Sequence, residues 1–93
     1  MVIGSCVLKI RVPWVNSLKE KRMELKRIVE RTKNKFNLSV AEVGENDNHK
    51  VIEIGMCCAA NDSGFADSVI ENAVNFIERT TDGEIFEIVK EIL

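Results

Sequence analysis

The chain has no tyrosine, one histidine, one tryptophan and one proline among its 93 residues, and aromatics make up only 5% of it. That inventory leaves few side chains for acid–base or nucleophilic catalysis. There is no P-loop, no GxGxxG fingerprint and no cluster with metal-ligand spacing, so the sequence predicts neither a cofactor nor a metal. No apolar run approaches the ~20 residues of a membrane span. The opening stretch, MVIGSCVLKIRV, lacks the basic segment that precedes the apolar core of a secretory signal. The expectation is a cytoplasmic protein without a membrane partner. Cysteine is also scarce: Cys6, Cys57 and Cys58 are an odd number. Two adjacent cysteines in a strand point to opposite faces and cannot chelate one ion together. Reduced, buried thiols are expected.

What is present is an ordinary globular balance, 45% hydrophobic and 30% charged. The length suits one domain, residues 1–93. The net charge of −2 conceals a split. Residues 1–37 carry ten bases and three acids, a sum of +7. Residues 38–93 carry three bases and twelve acids, a sum of −9. Such asymmetry marks either a polyanion-binding half or two halves that neutralise each other.

Periodicity supplies the architecture. Val2 to Val12 alternates as a strand, with Cys6, Leu8 and Ile10 on one face and Ile3, Val7, Lys9 and Arg11 on the other. Pro13 ends it. Ser17-Leu18-Lys19-Glu20 is a capping box that opens a helix running to about Phe36. Leu18, Lys21, Leu25, Ile28, Val29, Thr32 and Phe36 share its inner arc. Leu38 to Gly44 and Lys50 to Ala59 read as strands joined by the polar turn Glu45–His49. Asn61-Asp62-Ser63 caps a second helix, with Phe65, Ala66, Val69, Ile70, Ala73, Phe76 and Ile77 on its apolar arc. Glu84 to Ile92 is a last strand, expected to turn Phe86, Ile88 and Ile92 inward. The order β-α-β-β-α-β predicts an α+β ferredoxin-like sandwich: a four-stranded antiparallel sheet, order 4-1-3-2, with both helices on one face.

Three stretches carry a family resemblance. Ser17-Leu18-Lys19-Glu20-Lys21-Arg22 follows a strand ending in Val12-Pro13. Phe36 to Val43 leads into the second strand, and Ala60-Asn61-Asp62 opens the second helix. Together with the C-terminal Glu91-Ile92-Leu93, these resemble the YlxP-like family of small bacterial proteins of unknown function, over nearly the whole chain. The resemblance implies a ferredoxin-like fold and no established activity. Genes of that family often lie near those for translation initiation and ribosome maturation factors. The resemblance therefore implies an RNA or a ribosomal component as partner.

Two sites follow from the residues. Lys19, Arg22, Lys26 and Lys33 fall within roughly 60° of one another on the first helix. Ser17 and the free amides of the first turn add an anion-friendly end, and Trp14 stands beside them to stack on a base. The bland alternative is a solvated helix laced by Lys26–Glu30, Glu24–Arg27 and Arg27–Glu30 pairs, with Trp14 covering the core edge. The second site is the sheet face without helices. There Ile3, Val7, Ile85 and Val89 predict a homodimer or protein-interaction surface. An RNA-recognition mode that stacks bases on central-strand aromatics is not expected, because that face has none. His49 with Asp47 lacks a third ligand, and Asn61-Asp62 reads as a cap.

Overall fold

A computed structural model describes residues Met1–Leu93. The elements are β1 (Val2–Arg11), α1 (Leu18–Lys35), β2 (Ser39–Gly44), β3 (Val51–Ala60), α2 (Ser63–Thr80) and β4 (Glu84–Ile92). The sheet is antiparallel in the order β2-β3-β1-β4, the ferredoxin-like arrangement expected. β1 is central because its alternation is the cleanest in the chain: Cys6, Leu8 and Ile10 are fully buried under the helices. Its two neighbours are remote in sequence, Val7 standing opposite both Gly55 and Val89.

The core lies between the sheet and α2. Ala66, Ile70, Ala73, Val74 and Ile77 meet Leu8, Ile10, Ile52, Ile54 and Met56. α2 comes close over β1 at Gly4, where a Cβ would stand 3.1 Å from Ile70 Cγ1 and 3.2 Å from the Ala66 carbonyl. Phe65, expected on the inner arc, is instead 61% exposed in the first turn of α2, and Val74 takes a core place. α1 packs over β2 and against α2, where Phe36 and Phe76 meet edge to face at 5.6 Å.

β4 departs from its expected parity. The pairing slips between Lys9 and Ile10, so that Lys9 faces Glu87 while Ile10 faces Ile85. One extra residue, Phe86, is taken up in this bulge. A one-residue slip reverses every side chain beyond it. Ile85 therefore packs against the core, and its expected place on the open sheet face is corrected. Phe86 moves to the open face, where the Arg11 guanidinium lies 4.3 Å from its ring centroid. Past the bulge, Val89 stands with Val7 and Ile3 on the open face, as expected.

Candidate nucleic-acid interface

The approach to α1 is set by two buried valines. Val12 and Val15 are sunk into the core, and the Val15 amide donates to the Val12 carbonyl at 3.1 Å. Between them the chain turns outward through Pro13 and Trp14. Trp14 is 43% exposed, so a large part of its indole is open to solvent. Lys50 fixes this loop from β3's end, its ammonium donating to the carbonyls of Pro13 at 2.7 Å and Val15 at 2.5 Å.

Ser17 caps α1 as expected: its hydroxyl oxygen accepts from the Glu20 amide at 3.1 Å. The Glu20 carboxylate reaches back to the Asn16 amide at 3.4 Å. That carboxylate already sits at the positive end of the helix, so the amides of the first turn are partly matched before any ligand arrives. The favourable place for an anion is thus the flank of α1 rather than its tip.

The flank is defined by how α1 is rotated. Its buried residues are Lys21, Glu24, Ile28 and Thr32, while Leu18 is 37% exposed. On a wheel of 100° per residue, Lys19, Arg22, Lys26 and Lys33 centre about 145° from that buried line. All four are exposed and none forms an ion pair within the chain. The same holds for Arg31 and Lys35, although the Lys35 ammonium lies 5.6 Å from the Phe76 ring centroid. Of the three pairs expected along the helix, only Glu24–Arg27 is made, at 3.4 Å. From Lys19 to Lys33 the stripe is about 21 Å long.

α1 is held in that rotation by a buried cation. Lys21 is 1% exposed. Its ammonium donates to the carbonyls of Glu45 at 2.5 Å and Asn48 at 2.8 Å, and faces the Glu42 carboxylate at 3.6 Å. Three oxygens around one ammonium satisfy a charge that would otherwise be costly to bury. The β2–β3 turn is shaped to supply them. Glu45 has φ 54, a left-handed conformation that few residues other than Gly, Asn and Asp adopt readily. Placing Lys21 on the inner arc follows from its angle on the wheel. Its partners, 24 and 27 residues further on, carry no local sequence signal.

The charge split is therefore only partly internal. Lys9–Glu53, Arg11–Glu84 and Lys21–Glu42 join the basic half to the acidic half. Six bases of residues 1–37 remain without an ion pair, all on α1. Glu20 and Glu30 are the acids exposed among them.

The open sheet face has a different character. At one end Lys9 and Arg11 sit among Glu53, Glu84 and Glu87. At the other end Ile3, Val7, Val89 and Leu93 surround small residues. Two shallow hollows lie there, about 490 Å³ beside Ile3, Ser39 and Cys57 and about 290 Å³ over Gly55 beside Val43. Its one aromatic, Phe86, lies on an edge strand under Arg11. Cys57 is exposed on this face, against the expectation that all three thiols are buried. Cys6 is buried, and burial pushes its thiol above the ordinary value while the Lys90 charge opposes the shift. Nowhere do three His, Cys, Asp or Glu side chains converge closely enough to hold a metal ion. His49 and Asp47 lie in the β2–β3 turn. No helix is long and apolar enough to cross a membrane.

A family model described as a protein of unknown function (DUF503) matches residues 3–90. The chain belongs to the DUF503 family. A relative of known name is the "Uncharacterized protein YlxP" of Bacillus subtilis (strain 168), 36% identical over 77 residues that cover 83% of this chain and 84% of the relative. Solved structures add the fold alone. A de novo designed protein with ferredoxin fold aligns with TM-score 0.55 at 13% identity, over 99% of this chain and 84% of its own. The de novo designed protein Foldit4 aligns at 0.52 with 16% identity, over 99% and 94%. The protein At3g17210 of Arabidopsis thaliana aligns at 0.52 with 10% identity, over 98% and 92%. Neither DUF503 nor its YlxP relative brings an assigned activity.

Proposed function

We propose that this protein binds RNA through the outer face of α1. Lys19, Arg22, Lys26 and Lys33 neutralise backbone phosphates, and Trp14 stacks on an adjacent base. The observation that carries this reading is the unspent charge on one helix. A helix tuned only for its own stability pairs bases with acids at i,i+4, yet Lys26 and Glu30 are not bonded and the stripe faces solvent along its length. The exposed indole at the head of the stripe is the second support. An RNA of the translation apparatus is the partner that the family resemblance implies.

The test is a salt titration of binding to ribosomal RNA fragments, with a triple variant, Lys19→Glu, Arg22→Glu and Lys26→Glu, alongside. The slope of log K against log salt is expected between about −2 and −4, because each neutralised phosphate on a single strand releases about 0.7 counterions. The triple variant, shown to be folded by circular dichroism, loses binding. Trp14→Ala weakens it about tenfold. Equal binding by the folded triple variant, or no binding by the natural chain at low salt, removes α1 as an RNA surface.

A further inference from the structure

The two edges of the sheet are protected very differently. β2 has six residues, is bulged between Glu42 and Gly44, and lies beneath α1. Short, bulged and covered edges resist pairing. β4 has nine residues and no proline, and Glu87–Ile92 runs regularly past the bulge.

Its free hydrogen-bonding groups can be assigned. Ile3 and Leu93 exchange both backbone bonds, at 2.9 and 2.8 Å. Antiparallel pairing alternates, so Glu91, Val89 and Glu87 also bond toward β1. The backbone groups of Ile88, Lys90 and Ile92 therefore point away from the sheet into the open edge. The side chains there are not those of a guarded edge. Ile88 is 51% exposed and Ile92 is 37% exposed, although both lie on the helix side, because α2 stops short of covering β4. A lysine is the usual guard of an edge. The ammonium of Lys90 is instead turned inward to Asp67 at 2.7 Å and Glu71 at 3.3 Å on α2.

We infer that β4 is the pairing edge for a second copy of this chain, antiparallel about a two-fold axis at Lys90. Two-fold dimers are the commonest oligomers of soluble proteins, and this strand is self-complementary in one register. With Lys90 opposite Lys90 of the second copy, each Ile88 meets an Ile92 on the helix side and each Val89 meets a Glu91 on the open side. The two lysines approach one another with their ammonium groups already held by two carboxylates each. Centring on Val89 would set Glu87 against Glu91 twice, a like-charge opposition. Centring on Ile88 would run the pairing into the bulge at Phe86. The product is one continuous eight-stranded sheet. Face-to-face packing of the open sheet surfaces is the less favourable alternative, because Glu53, Glu84, Glu87 and Glu91 outnumber Lys9 and Arg11 there and would confront their own kind.

The experiment measures mass by light scattering and residue-level amide exchange by NMR on the full chain. The expected mass is twice 10.5 kDa at micromolar concentration. The amides of Ile88, Lys90 and Ile92 should exchange about 100-fold more slowly than in a chain carrying Ile88→Lys and Ile92→Lys. That variant should be monomeric, as should one carrying Ile88→Glu and Ile92→Glu. Mixing the two should restore the dimer, which misfolded chains would not do. Val7→Lys, on the open face of β1, should leave the dimer intact. A monomer at high concentration overturns the proposal. So does rapid exchange of the three amides within a dimer, or a dimer dissolved by Val7→Lys and not by the β4 changes.

Discussion

α1 and α2 are each 18 residues long and lie on the same face of the sheet, but different forces hold them. α2 buries only apolar side chains, Ala66, Ile70, Ala73, Val74 and Ile77, directly over β1 and β3. α1 buries one isoleucine beside Lys21, Glu24 and Thr32. Beside the packing of Leu25, Ile28 and Val29 on the core, its inner side is fastened by the Lys21 ammonium, which donates to the β2–β3 turn; the Thr32 hydroxyl donates within the helix, to the Ile28 carbonyl at 2.8 Å. Apolar burial is indifferent to direction, whereas an ammonium with three oxygen partners fixes a rotation. α2 therefore acts as foundation, and α1 as a helix locked at one angle so that its bases face outward.

This contrast can be broken from the α2 side first. Ile70→Ala removes a fully buried side chain and should cost about 3 kcal/mol, read as a lower urea midpoint at unchanged slope. Lys21→Met keeps the length of the side chain but orphans two carbonyls and Glu42. It should cost about 2 kcal/mol in the same measurement. If the rotation of α1 depends on that ammonium, the variant should also weaken the RNA binding proposed for the outer face of α1, although Lys21 itself is buried. The smallest effect concerns the exposed side of α2. Hydrogen bonds that the Lys90 ammonium donates to Asp67 and then Glu71 raise its pKa above the ordinary 10.5. A raised lysine contributes stability that is fully present below about pH 10.5 and lost as pH climbs through the raised value. The difference in melting temperature between the natural chain and Lys90→Met should be small at about pH 8 and shrink as the pH climbs above 10.5.

Much of this architecture was legible because β1 and β3 alternate without interruption and both helices begin with recognisable caps. β4 was misread at one point. A bulge adds a single residue, and nothing in Glu84-Ile85-Phe86-Glu87 marks which residue is extra, so Ile85 and Phe86 exchanged faces. The basic stripe was legible from spacing alone. That its members stay unpaired was not, because Lys26 and Glu30 have the separation of a helix ion pair and only the folded geometry shows them apart. Lys50 was missed as the clamp of the Trp14 loop, since its partners Pro13 and Val15 lie far away along the chain.

The central place of β1 has a consequence for assembly in time. The first strand to be made is the one that needs both β3 and β4 as neighbours, and its Arg11 meets a partner 73 residues later. Contacts so distant in sequence close large loops before they return any energy, which slows folding. During synthesis β1 must wait, half-paired, until residues 84–92 leave the ribosome. Until then the edge of β1 that β4 will occupy is open, and the nascent chain is at its most vulnerable to pairing with another copy in the wrong order.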